Sequence, residues 1–178
     1  MNHFFDIGAN VGQTFTDYLT KTDKYDGWTI WCFEPSPRHL PPLMSEVKKW
    51  SDRYKIIVCP FGVWSHTDIL SFYQKDDPRG DSFESYLASD HVTNNIEGEY
   101  QLLCPVMGIN ELLKSVDEVE VKLDCEGAEY PVLEALIGSP YLSKIKALYV
   151  EFHTIGTAHR EPSDIIASFP IPIIPWTF

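Results

Sequence analysis

The sequence is poor in cations: fourteen Lys and Arg stand against twenty-six Asp and Glu, a net charge of −12 at pH 7. A protein that tracks phosphates needs the opposite sign, so nucleic acid and anionic membrane surfaces are excluded as general partners. No run of about eighteen apolar residues occurs, so no segment reads as membrane-spanning. The N-terminus lacks a basic region followed by an apolar run, and no Asn-x-Ser/Thr acceptor appears. Both absences point to a cytoplasmic location. Cys32, Cys59, Cys104 and Cys125 form no Cys-x-x-Cys pair. They read as reduced, buried thiols rather than a disulfide framework or a zinc site. Repeats, low-complexity tracts and long linkers are missing too, as is the Gly-x-Gly-x-x-Gly of dinucleotide binders. What remains is 44% hydrophobic and 13% aromatic over 178 residues. That composition suits one domain, residues 1–178, with a core of its own.

Apolar runs alternate with helix-period segments, the mark of an α/β domain with a mostly parallel sheet. The first strand covers His3 to Ile7, and a helix follows from about Val11 to Thr22, because Val11, Phe15, Tyr18 and Leu19 share one face. Trp28 to Phe33 reads as the second strand. Prolines 35, 37, 41 and 42 then delay the next helix to near Leu43–Trp50. Lys55 to Cys59 is the third strand. Asp68 to Gln74 and Tyr100 to Val106 alternate like half-exposed strands and suit an antiparallel edge. Lys75 to Gly98, between them, is polar, long and unpatterned, as binding loops are. Further strands are expected at Glu120–Asp124 and Lys146–Phe152, with helices at Glu129–Ile137 and Ser163–Ser168. The tail from Phe169 to Trp176 is apolar but proline-broken and suits an edge at best.

Four motifs carry chemistry. Asp6-Ile-Gly8-Ala9-Asn10-Val-Gly12 sits where the first strand gives way to a helix. Gly8 permits a tight turn and close backbone approach, and the helix start offers unpaired N–H groups. A plain strand-to-helix turn would look similar. Phe33-Glu34-Pro35 places a carboxylate at the end of the second strand, where it can accept hydrogen bonds from both ribose hydroxyls of a nucleoside. Lys122-Leu-Asp124-Cys-Glu126-Gly-Ala-Glu129 groups three carboxylates and a lysine at the end of a central strand. Lys122 and Asp124 share a side, because strand side chains alternate. The blander reading has Asp124 capping the next helix and Glu129 favouring its first turn. Glu151-Phe-His153 ends the following strand, and its imidazole would face the same crevice. The other histidines, His3, His39, His66, His91 and His159, show no metal-ligand spacing.

Taken in order, these segments resemble the FkbM-type methyltransferases. Phe5 to Gly12, Phe33-Glu-Pro-Ser-Pro37, Phe61-Gly-Val-Trp64 with Leu70-Ser-Phe-Tyr73, Gly80-Asp-Ser-Phe83, Val121 to Glu129 and Val150 to His153 carry the likeness. It implies a Rossmann-like class I methyltransferase fold: α/β, with a mostly parallel central sheet and helices on both faces. It also implies S-adenosylmethionine (SAM) as cofactor, with its demethylated product (SAH), and methylation of a hydroxyl on a small molecule or sugar. By position, Asp6, Gly8, Ala9, Asn10 and Gly12 would shape the loop under the methionine part. Gln13 and Thr14 would reach its carboxylate, Glu34 would hold the ribose, and Phe61 and Gly62 would flank the adenine. Asp124, Glu126 and His153 would line the transfer site, with Lys122 and Glu129 in support and Asp124 or His153 as base. The resemblance calls for no metal.

No helix precedes the first strand, and little chain follows His153. The expected fold is therefore minimal at both termini, with room for one strand where relatives carry an antiparallel pair. A second copy covering the open edge would make a homodimer. Two alternatives stand beside the enzyme: a non-catalytic SAM- or nucleoside-binding subunit that needs a partner, and a nicotinamide-dependent oxidoreductase. The missing glycine fingerprint speaks against the latter.

Overall fold

The computed structural model describes residues 2–74, 100–153 and 162–176. Six parallel strands form the central sheet: β1 (Asn2–Ile7), β2 (Thr29–Phe33), β3 (Lys55–Cys59), β7 (Glu118–Leu123), β8 (Ile145–Val150) and β9 (Ile173–Pro175). Their spatial order is β3-β2-β1-β7-β8-β9. The chain thus winds outward from β1 in both directions, and the reversal falls between β1 and β7. Ligands of open α/β sheets bind at such a switch point, outside the carboxyl ends of the strands.

Helices cover both faces because the strands are apolar on both sides. Along β1, Phe5 and Ile7 pack with α3 (Ile109–Lys114), α4 (Glu129–Leu136) and α5 (Pro162–Ser168). Phe4, pointing the other way, packs with Phe15 of α1 (Gln13–Asp17) and with Leu43 and Val47 of α2 (Leu40–Trp50). Full burial on both faces explains why these strands read as continuous hydrophobic runs rather than alternating ones.

Several boundaries differ from the sequence expectation. Helix α1 ends at Asp17 and gives way to a single 3-10 turn at Leu19–Lys21. Helix α2 begins earlier than expected, at Leu40, because Pro41 and Pro42 fall in its first turn, where their missing N–H groups cost nothing. The expected half-exposed strands do pair antiparallel, as β5 (Asp68–Gln74) and β6 (Tyr100–Gly108). They do not edge the main sheet, however. With the short β4 (Gly62–Trp64) they build a separate three-stranded sheet in the order β4-β6-β5. Trp64, Phe72, Cys104 and Val106 bury its inner side together with Ala128, which leads into α4. The tail does supply one edge strand, but β9 lies parallel to β8. Among the described residues every strand of this sheet therefore runs parallel to its neighbours. The expected loop from Lys75 to Gly98, with the Gly80–Phe83 segment, lies outside the described residues.

Leu133 lies fully buried between α4 and the sheet. Leu133→Ala should destabilise the domain by about 2–5 kcal/mol through lost burial and a residual cavity, read as a lowered urea midpoint at unchanged slope.

Candidate functional site

The carboxyl ends of β1, β2, β7 and β8 converge on one crevice. The loop after β1 folds back on β2: the amides of Gly8 and Ala9 both donate to the carbonyl of Phe33, each at 3.0 Å. Gly8 holds φ +82°, and a Cβ there would lie 1.6 Å from the carbonyl oxygen of Asp124. Only glycine lets the β1 and β7 loops approach this closely. Gly12 has φ +94° and packs against the Glu46 side chain of α2.

Lys122 anchors this region from beneath. It is 2% exposed, and its ammonium donates to Asp6 Oδ1 at 2.9 Å and to the Gly8 carbonyl at 3.0 Å. Asp124 Oδ2 stands 3.1 Å away. These contacts match the three donors an ammonium has. Burial alone would lower the lysine pKa, but Asp6 and Asp124 outweigh it and hold the group charged well above its usual range. Asp6 Oδ2 is buried and has no hydrogen-bond partner among the described residues, so Asp6 depends on this lysine for compensation.

A second cluster sits at the ends of β7 and β8. Glu129, wholly buried at the start of α4, accepts from the amides of Cys125 at 2.7 Å and Gly127 at 2.9 Å. It therefore ties down the turn in which Glu126 has φ 51°. Asp124 does not cap α4, contrary to the blander sequence reading; Ala128 is the N-cap residue, without a side-chain bond. Glu129 Oε1 also lies 3.1 Å from Nδ1 of His153. The other imidazole nitrogen is ringed by Glu126 Oε1 at 3.6 Å and by Asp124 Oδ1 and Glu151 Oε1, both at 3.8 Å. Burial pulls the His153 pKa down, but the bond to Glu129 and the surrounding carboxylates outweigh it and raise the pKa to about 9. Burial chiefly, against the opposing pull of His153, raises the pKa of Glu126. Glu151 is raised by burial and next by Asp124. One atom each from Asp124, Glu151 and His153 lies within 4.8 Å of the others, a spacing that could bracket a metal ion.

Two cavities meet across this framework, sharing Gly8, Asn10 and Asp124 as common wall. The first runs toward β2 and the second sheet and is lined by Glu34, His39, Gly62, Phe72 and Glu126 among others. The second runs toward α1 and β9 and is lined by Gln13, Thr14, Asp17, Lys122, Glu151 and Trp176. Glu34 is 4% exposed; its Oε2 accepts from the Asn10 amide at 2.8 Å and its Oε1 from the Ser36 amide at 2.7 Å. Each oxygen keeps a lone pair for a ligand.

A family profile described as "Methyltransferase FkbM domain" matches residues 6–169. The chain belongs to the FkbM methyltransferase family. Among solved structures it is similar to a crystal structure of methyltransferase FkbM from Methylobacillus flagellatus KT. The TM-score is 0.51 at 16% sequence identity, over 78% of this chain and 30% of that one. That likeness bears on the fold alone, and this chain spans under a third of the other's length. No curated protein matches.

The expected FkbM site residues divide by location. Gly8, Asn10, Gln13, Thr14, Glu34, Gly62, Lys122, Asp124 and Glu126 line one cavity or both. Asp6 stands behind Lys122, Ala9 is 1% exposed in the core, and Gly12 faces α2. These three shape the loop without lining either cavity. Phe61 packs edge-on against Phe33, 5.8 Å between ring centroids, and joins the main core rather than a cavity wall. Glu129 and His153 adjoin the cavities through Cys125 and Asp124. Sequence reasoning left out Asp17, His39, Phe72, Glu151 and Trp176. Glu151 was legible, because a residue two before His153 at a strand end shares its side. Trp176 was not, because the tail that carries it has no periodicity. Among the described residues, no helix is long and apolar enough to cross a membrane.

Two measurements test this geometry. Lys122→Met should cost roughly 3–5 kcal/mol in urea unfolding, because it strands the buried Asp6 carboxylate. Adding Asp6→Asn should recover part of the loss. His153 should titrate by NMR near pH 9, against an ordinary 6.5, and return toward that value in Glu129→Gln. Because the folded value is the higher one, the stabilisation His153 gives is complete below pH 6.5 and is lost as the pH rises through 9.

Proposed function

We propose that the protein transfers a methyl group from S-adenosylmethionine to a hydroxyl of a small molecule or sugar. The observation that carries this reading is the pair of cavities joined at Gly8, Asn10 and Asp124, with Glu34 at one end and the Asp124–Glu126–His153 group at the junction. The residues suit the cofactor. Glu34 keeps lone pairs open toward the first cavity, as a ribose diol requires. Gly8 lets the β1 and β7 loops close together, and both loops wall the cavities. The acidic surroundings of the junction favour a positive centre. When bound, the cofactor supplies an electrophilic methyl group on a sulfonium.

The chain's own residues then supply alignment and proton handling. Lys122 fixes the Asp124 carboxylate through Oδ2 and leaves Oδ1 turned toward His153. Near neutral pH His153 is held protonated, so it does not serve as the first base. Asp124 is the better acceptor for a hydroxyl proton, and the imidazolium orients it. Glu129 holds both the turn and the imidazole in place.

Calorimetric titration with SAM, SAH and NADH tests the cofactor. Micromolar binding of the first two and none of NADH is expected. Glu34→Ala should weaken SAH binding more than about tenfold, since hydrogen bonds to a charged group contribute roughly 1.5–3 kcal/mol each. Asp124→Ala should retain SAH binding and lose transfer from radiolabelled SAM to an acceptor. Failure of the folded wild-type chain to bind SAM or SAH would remove the cofactor assignment and favour a subunit that needs a partner.

A further inference from the structure

The first cavity holds a second buried polar side chain that the methyl-transfer reading does not use. His39 is 6% exposed, stands at the N-cap of α2 and lines the cavity beside Glu34. Its Nδ1 lies 3.4 Å from Glu34 Oε1. Oε1 already accepts the Ser36 amide at 2.7 Å. The imidazole therefore stands beside the carboxylate without saturating it. The surrounding backbone fixes this placement: the His39 amide donates to the Ser36 carbonyl at 3.1 Å, and the Ser36 hydroxyl accepts from Gln74 Nε2 at 3.2 Å. Two turns of chain and the end of β5 thus hold Glu34, Ser36 and His39 as one unit.

A hydroxyl is both donor and acceptor. One placed at Oε1 would donate to Glu34 and lie within reach of an N–H on Nδ1. We infer that His39 and Glu34 bracket a single ribose hydroxyl of the nucleoside, the carboxylate accepting its proton and the imidazole donating to its oxygen. The inference rests on the cofactor reading above and goes further, because it makes recognition of that hydroxyl two-sided. A buried acceptor alone tolerates loss of a hydroxyl poorly. A buried donor–acceptor pair tolerates it worse, since both partners are then left unpaired.

The test is calorimetric titration of the full chain with SAH, adenosine, 2′-deoxyadenosine and 3′-deoxyadenosine. Wild type should prefer adenosine to one of the two deoxy analogues by roughly tenfold or more. In His39→Leu that preference should fall to about twofold or less, and SAH should bind roughly tenfold more weakly. In His39→Asn, whose side-chain amide can donate from nearly the same place, the preference should return in part. A purely structural role would lower the melting temperature while leaving the ribo-to-deoxy ratio intact in the folded fraction. Should His39→Leu fail to fold, wild type and His39→Asn still decide the matter. Wild type that binds SAH but does not discriminate the deoxy analogues overturns the bracket and leaves the cofactor reading standing, as does a His39→Leu protein with the wild-type ratio. Wild type that binds none of the four overturns both.

Discussion

The site depends on one buried ion pair. Lys122 and Asp6 face each other across neighbouring parallel strands, in register on β7 and β1. Neither would be tolerated alone at that depth, and a buried pair is not stabilising merely because it is a pair. Its value lies in its third and fourth partners. The same ammonium grips the Gly8 carbonyl and the Asp124 carboxylate. The turn of the β1 loop and the orientation of the acidic strand end are thereby set by one cation. Gly8 permits the loops to meet, and Lys122 determines where they meet.

From that fixed point the chemistry separates into two ends. Toward β2, Glu34 is prearranged by two backbone amides, so little ordering remains to be done when a ligand arrives. Toward β8, four carboxylates surround one imidazole, and their mutual cost is eased by its protonation. Under the function proposed above, the first end would meet a neutral diol and the second a positive centre, the two features a nucleoside carrying a sulfonium combines.

Much of this was legible in the sequence. Both-face apolar runs marked the parallel strands, and the spacing of Lys122 and Asp124 placed them on one side. The ordered motifs located the family, and the family profile bears that out. What escaped was whatever tertiary packing alone decides. Two alternating strands looked like an edge of the main sheet, yet they close a second sheet with β4, a three-residue strand too short to carry a pattern. Phe61, expected by position beside an adenine, is half-buried and packs edge-on against Phe33, a contact no local pattern announces. His39 gave no signal, because a histidine before a proline-led helix is chemically anonymous until Glu34 is seen beside it.

The docking of the tail matters for the second cavity. Trp176 donates its amide to Val150 at 2.9 Å and rests its ring on Tyr18, 4.9 Å between centroids. Trp176 is also part of the wall of the second cavity. That wall is carried by β9, a three-residue strand paired on one side only, at the margin of the sheet. Displacing β9 would take the wall away while leaving the pairing of the other five strands in place.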